Sequence, residues 1–348
     1  MRKRINNLFF VIGITAVVVM FCTFDVSFVE LWAYIRRANY WLAAILGLWT
    51  LLYVLNTWAW RIIIRGSGSC TISFWRLLKL TVTGFALNYA TPMGMVGGEA
   101  YRIMELSRYM DTRRATSSVV LFVMMHVFSH FWFWVTSIAV YLVLAFSDDL
   151  PLNTATGVVL ALAMLFCGGG ICLFVRGYKY GMAVKLIRII GRVPGLRRWG
   201  KRFSESHRED LEKIDRQISE LRGQNKCSFF GSFFLEYAGR VLQSFEIFFM
   251  LRLFGIDGGG GMDGYLLTFL HSFLILAFTS FFANLLGFLP LQLGGREGGF
   301  AMSVAQMGMT GGTAMFISII CRVRELFWCS VGLLLMKIGN RNETTNKT

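Results

Sequence analysis

Asn88-Tyr89-Ala90-Thr91-Pro92-Met93-Gly94-Met95-Val96-Gly97-Gly98-Glu99 interrupts an otherwise apolar sequence. Asn284-Leu285-Leu286-Gly287-Phe288-Leu289-Pro290-Leu291-Gln292-Leu293-Gly294-Gly295-Arg296-Glu297 interrupts it a second time. In each stretch a Pro is followed seven residues later by a Glu, with a Gly-Gly pair close before that Glu. An Asn, Asn88 or Asn284, precedes each Pro, at a different gap in the two cases. Pro removes a backbone donor and Gly weakens a helix, so both stretches are expected to break. Inside a bilayer, broken backbone persists only where protein covers it or where it lines a wet cavity. Paired interruptions in corresponding places of two halves therefore point to a transport site.

The surroundings of the breaks are those of a membrane protein. The chain has 348 residues, 55% of them hydrophobic, and a mean hydropathy of +0.56. Several stretches are apolar for about twenty residues, enough to cross a bilayer. The net charge of +15 is concentrated in loops, as expected for cytoplasmic faces and anionic lipid head groups, and does not indicate nucleic acid. The seven Cys contain no C-x-x-C spacing, so neither a zinc site nor a disulfide framework is indicated. No cofactor or metal is expected.

Taken in order, Met1-Arg2-Lys3-Arg4 precedes an apolar run from Ile5 to Phe24. That run is too long for a signal peptide and predicts a first span with a cytoplasmic N-terminus. Residues 25–39 would be a short external segment, although Arg36 and Arg37 fit poorly there. Tyr40 to Ile64 returns inward. Phe74 to Tyr109 has basic residues on both flanks, so the first break sits in a hairpin that enters and leaves from the cytoplasmic side. Ser117–Phe146 and Ala155–Val175 cross outward and back, the latter with Gly168-Gly169-Gly170 inside it, read as close packing.

Residues 176–226 hold fourteen Lys/Arg against six Asp/Glu, the strongest cytoplasmic signal in the chain. Lys185 to Arg192 is expected on the membrane surface, and a capping box at Ser206 to Glu209 opens a short amphipathic helix. Phe229–Leu253 crosses outward, the second hairpin enters from outside, and Thr313–Lys337 brings the tail back to the cytoplasm. The expected fold is an all-α polytopic membrane protein, with about six full transmembrane helices and two re-entrant broken hairpins in an inverted repeat. The organisation would be an N-terminal membrane half 1–175, a basic cytoplasmic linker 176–226 and a C-terminal membrane half 227–348.

Charges inside spans are costly and tend to face the protein interior or a wet cavity. Glu99 and Glu297 each follow a Gly-Gly break, near Arg102 and Arg296. Each could meet a polar ligand, or form an ion pair that pins its hairpin. Glu236 and Arg240 are spaced i,i+4, so they share a face and can pair, with Gln243 continuing that face and Glu246 on the neighbouring side. Arg322, Arg324 and Glu325 lie in the last span. Together these could form a polar cavity in which Arg holds a lipid phosphate, or pair among themselves without a ligand. His126 and His130 are also i,i+4; packing or cavity lining is the expected role rather than a metal site.

At the same residues the chain resembles the N-terminal flippase region of bacterial lysylphosphatidylglycerol synthases. The resemblance is carried by Asn88, Pro92, Gly97-Gly98-Glu99 with Arg102, and by Pro290, Gly294-Gly295 and Glu297. It covers roughly residues 5–337 and implies lipid translocation. Stand-alone and archaeal members, the latter linked to dolichyl-phosphate-sugar metabolism, share it. The aminoacyl-transferring domain of the full synthases would follow the last span, and this chain ends there, so aminoacyl transfer is not expected.

The reading that results is a non-enzymatic lipid flippase or transporter in the bacterial cytoplasmic membrane, with both termini cytoplasmic. Its substrate would be a phospholipid or polyprenyl-phosphate carrier. The head group would meet Glu99, Arg102, Glu236, Arg240, Glu297 and Arg322. Asn88, Pro92, Gly97, Gly98, Asn284, Pro290, Gly294 and Gly295 would shape the broken backbone. Residues 176–226 would contact anionic lipid, and a homo-oligomer is compatible with the sequence. A membrane transferase acting on a lipid carrier, or a non-transporting scaffold, are the alternatives. No nucleophile-elbow, zinc-protease or nucleotide motif favours the first of these.

Overall fold

The computed structural model describes residues 28–90, 97–147, 149–180, 226–256, 261–285 and 295–337. The predicted first span, the apexes of both breaks with Pro92, Pro290 and Gly294, residues 181–225 of the basic linker and the tail lie outside the described residues. Among the described residues there are helices and no strands: α1 (Phe28–Gly66), α2 (Phe74–Ala90), α3 (Gly97–Leu106), α4 (Thr112–Phe146), α5 (Thr154–Tyr180), α6 (Lys226–Leu253), α7 (Met262–Leu285), α8 (Gly295–Gln306) and α9 (Gly311–Lys337).

Helix starts follow local chemistry. Ser73 Oγ accepts from the Arg76 amide at the head of α2, Asp111 from the Arg113 amide at the head of α4, and Asn153 from the Thr156 amide at the head of α5. One expectation is corrected. Residues 28–39 are not an external loop but the first three turns of α1, which runs unbroken for 39 residues. No Pro or Gly occurs between Phe28 and Leu46 to stop it. Arg36 is exposed and lies 5.4 Å from the Trp32 ring.

Both hairpins return to the side they leave. Arg114, in the first turn of α4, donates to the Ser69 carbonyl beyond the end of α1 at 3.2 and 3.3 Å. Arg76, in the first turn of α2, donates to the Tyr109 hydroxyl beyond the end of α3 at 3.0 Å. The ends of α1 and α3 and the starts of α2 and α4 therefore lie together. With 10 residues, α3 rises only about 15 Å, half of a ~30 Å hydrocarbon core. In the second half the end of α6, the start of α7, the end of α8 and the start of α9 meet in the same way. Phe254 packs edge-on against Phe316 at 4.7 Å, and Phe254, Thr268, Met307 and Thr313 line one cavity.

The two halves are related by inversion. Exchange α1 with α6, α2 with α7, α3 with α8 and α4 with α9. Every substantial packing between these eight helices then maps onto another one: α2·α9 onto α7·α4, α2·α3 onto α7·α8, α1·α4 onto α6·α9. The packing of α1 on α6 maps onto itself and is antiparallel. Trp41 stacks obliquely near Phe249 at 5.4 Å at one end, and Gly231 lies against Ile62 at the other. At the far end of α4, Leu144 and Leu150 pack with Leu274 and Met307 at the base of the second hairpin. The bases of the two hairpins thus lie at opposite ends of α4, as an inverted repeat requires.

Glycine permits the tight crossing inside each hairpin. A Cβ on Gly98 would run into the Gly84 carbonyl and Asn88, and one on Gly299 would sit 3.0 Å from the Thr279 Cα. The expected close packing of the triple glycine holds at Gly170, which faces Phe131, while Gly168 and Gly169 face open space. Two apolar clusters fill the interior, one around Trp60, Phe122 and Leu333, the other around Phe133, Phe273 and Phe316.

Candidate functional site

The first half builds its polar group locally. Asn88, in the last turn of α2, uses both ends of its amide. Its Oδ1 accepts from the Gly98 amide at 2.8 Å and its Nδ2 donates to Glu99 Oε1 at 2.9 Å. Asn88 thereby replaces one of the amide partners that a helix start leaves unmade. Three residues on, Arg102 donates to Glu99 at 3.4 Å and to the Thr81 carbonyl at 3.2 Å. Its guanidinium is 1% exposed and sits among the rings of Trp60, Phe85 and Phe122 at 5.7, 4.8 and 5.3 Å. Ring faces attract a desolvated cation by up to about 2 kcal/mol, which offsets part of the cost of burying it.

Helix α6 brings the second group. Glu236 and Arg240, which their spacing would let pair, both reach His126 on α4. Glu236 Oε2 lies 2.9 Å from His126 Nδ1, and Arg240 Nη2 touches both imidazole nitrogens. Arg240 also donates to Gln243 at 3.2 Å. One turn along α4, His130 Nδ1 bonds the His126 carbonyl at 2.9 Å.

The third group ties the second half together. Arg324 holds Glu246 with two parallel bonds, Nε to Oε1 at 2.9 Å and Nη2 to Oε2 at 3.2 Å. Its guanidinium lies 3.8 Å from the Trp49 ring. Arg322 donates to Glu297 from Nε at 3.2 Å and from Nη2 at 2.7 Å. Glu325 receives Arg296, Arg324, Arg322 and the Tyr89 hydroxyl, and Arg322 also donates to Tyr89. Tyr89 comes from the first hairpin, so this cluster crosses between halves. Charges taken out of water stay ionised at such density only when every one is matched.

A cavity of about 360 Å³ lies between the hairpins, at the lower end of the ~300–1,000 Å³ typical of ligand pockets. It brings together Glu99, Arg102, Glu236, Arg240, Asn88 and Asn284 from the sequence-predicted set. Glu297 and Arg322 are placed elsewhere, bonded to each other rather than lining this space. Gly97 and Gly98 open α3 and Gly295 opens α8. Residues that sequence reasoning passed over also line the cavity: Trp49, Asn56, Tyr89 and Trp328. Asn56 carried a signal, a lone amide inside the apolar run of α1. His126 and His130 line the cavity, in keeping with the role expected for them.

Three carboxylate or amide oxygens on this wall are buried and meet no protein donor, Glu99 Oε2, Glu236 Oε1 and Asn56 Oδ1, and the Thr279 hydroxyl is likewise unpartnered. An unmet buried acceptor costs about 1–3 kcal/mol, and more when charged. A surface that keeps several is suited to a polar guest. The four arginines and three carboxylates of the wall would let one guest present both phosphate and donor groups.

A family model described as Lysylphosphatidylglycerol synthase TM region matches residues 8–332, nearly the whole chain. No curated protein and no solved structure matches it significantly.

Proposed function

The chain belongs to the lysylphosphatidylglycerol synthase TM-region family, and from that premise we propose that it moves a lipid with a charged head group between the leaflets of the membrane. The observation that carries this reading is the charged cavity between two inverted, broken-helix hairpins. The head group, of a phospholipid or of a polyprenyl-phosphate carrier, enters the cavity while the tails stay in lipid. Rocking of one half against the other then opens the opposite side. Glu99 and Arg240 contact the head group; Arg102 holds Glu99 in place. No covalent step is needed, so the protein acts as a transporter and not as an enzyme. Excess basic charge in 176–226 favours a cytoplasmic linker on anionic lipid, and with it cytoplasmic termini and the bacterial inner membrane.

The test is lipid movement in proteoliposomes, with fluorescent phospholipids and polyprenyl phosphates as probes. Glu99→Gln is expected to slow head-group-selective movement at least about tenfold, equal to ~1.4 kcal/mol of lost stabilisation, with the folded protein recovered in normal yield. Full transport by Glu99→Gln would remove that carboxylate from the mechanism. No movement of any probe by well-folded wild-type protein would overturn the transport reading.

A further inference from the structure

The imidazole of His126 faces a carboxylate and a guanidinium at once. Its Nδ1 lies 2.9 Å from Glu236 Oε2 and 3.0 Å from Arg240 Nη2. Toward an ionised Glu236 it must donate; toward Arg240, which has only donors, it must accept. In one state a proton sits on Nδ1, donated to the Glu236 carboxylate, and Arg240 is received at Nε2. In the other, a proton from outside the protein has bound His126 Nε2 in place of the Arg240 bond, and the Nδ1 proton has passed to Glu236 Oε2, which donates it back to Nδ1. Loading thus takes up one proton, breaks the Nδ1–H bond and forms an N–H bond at Nε2 and an O–H bond at Glu236, leaving the imidazole neutral. His130 extends the path. Its ring centroid is 5.1 Å from that of His126. Its Nδ1 is committed as donor to the His126 carbonyl, so in the neutral ring Nε2 is the bare nitrogen. Glu236, whose side chain is 1% exposed, has its other oxygen unmet.

We propose that Glu236, His126 and His130 form a proton-binding relay on the cavity wall, and that lipid and proton move through the protein together in the same direction. The proposal rests on the transport reading above and adds its energy source. A proton loaded on the relay adds one positive charge beside Arg240 and attracts a head-group phosphate. When the proton leaves, that attraction is lost and the phosphate is released. Carboxylate and imidazole chains inside membranes serve proton transfer because a buried charge there is otherwise too costly. Other titratable groups share the cavity: Tyr53 from α1, Tyr89 from α2, Glu99 and Arg102 from α3, Arg240 from α6, Arg296 from α8, and Arg324, Glu325 and Cys329 from α9. The part of α7 that lines it contributes only Leu276, Thr279, Ser280, Ala283 and Asn284. Of the acids, Glu325 is ringed by three arginines and Glu99 faces Asn88 and Arg102; Glu236 is the one that faces histidine.

The experiment uses the full chain in vesicles of phosphatidylethanolamine and phosphatidylglycerol, with acyl-labelled fluorescent phosphatidylglycerol as probe. Its leaflet distribution is read by dithionite quenching, with and without a gradient of about one pH unit. One proton per lipid predicts accumulation on the alkaline side by up to about tenfold. His126→Gln and Glu236→Gln are expected to lose that bias. Wild-type exchange without bias, accumulation on the acidic side, or an undiminished bias in both variants overturns the relay and leaves the transport reading standing. No exchange under any condition overturns both. A second measurement is independent of transport: infrared difference spectra of detergent-solubilised protein between about pH 5 and about pH 9. A carboxyl band that vanishes in Glu236→Gln supports the relay; the same spectrum in that variant overturns it.

Discussion

Glu99 keeps its bonds within its own hairpin, to Asn88 and Arg102. Glu297, its counterpart seven residues after the second Pro, reaches out of its hairpin to Arg322 on α9. From α9 the pairing continues through Glu325 to Arg296 and Tyr89, and through Arg324 to Glu246 on α6. The backbone plan of the two hairpins is the same, yet the first leaves a Glu99 oxygen facing the cavity and the second spends Glu297 and Arg296 on ties to α9. A repeat inherited as a backbone can thus divide its labour by side chains: one hairpin receives, the other holds. Arg102 shows the cost on the receiving side. It needs three aromatic rings to stay buried, because its carboxylate partner is shared with the cavity.

This division can be broken most severely at the centre of the holding half. Arg324→Met leaves Glu246 buried without a charged partner and is expected to destabilise the protein by about 3–5 kcal/mol. Thermal unfolding in detergent measures it. Adding Glu246→Leu should recover most of the loss, since removing both charges also removes the desolvation cost. The next effect is a matched pair of glycines. Gly98→Ala places a methyl against the Gly84 carbonyl and Asn88 and is expected to cost about 1–3 kcal/mol. Tyr89→Phe removes the hydroxyl that links the first hairpin to Arg322 and Glu325, a loss of about 1–2 kcal/mol. If the halves are held together there, the same variant should also raise protease sensitivity in α2. The smallest effect is the control for the first glycine: Gly298→Ala meets nothing within 4 Å and should stay within about 1 kcal/mol of wild type, on the stabilising side. An equal cost for Gly98→Ala and Gly298→Ala would remove the close approach of α2 and α3 assigned to Gly98.

Much of the fold was legible because its signals are local. Pro, Gly-Gly and Glu at repeated spacing mark both hairpins, and basic loops mark sides. The candidate site was legible in type and less so in partners. Glu236 and Arg240 lie at pairing distance along a helix, but the imidazole that takes them both is more than a hundred residues away. The two Asn residues look equivalent in sequence. The different gap to Pro gives them different work: Asn88 bridges Gly98 and Glu99, whereas Asn284 donates back to the Ser280 carbonyl of its own helix. Helices α6 and α9, 28 and 27 residues long, are not among the four described helices apolar enough to qualify as spans by composition. Their charges are matched across space, Glu246 by Arg324, Glu325 by Arg296 and Arg322 by Glu297, which a window of hydropathy cannot register. The external loop expected at 25–39 gave way to helix from Phe28 onward because no Pro or Gly there stops one, and Arg36 and Arg37 already fitted poorly in such a loop.

The helix α5 packs substantially against α4 and has no counterpart among the described residues; the predicted span Ile5–Phe24 holds the corresponding place in chain order. Its consequence is one of parity. A unit made of α1, a hairpin and α4 crosses twice and ends where it began, so a second copy joined directly to it would be threaded the same way up. One further crossing makes the count odd, and the following copy is turned over without any additional instruction to the insertion machinery. Removing α5 would leave each half with its own folding signals, but α6 would then run alongside α1 in the same direction and the self-matching seam between them could not close.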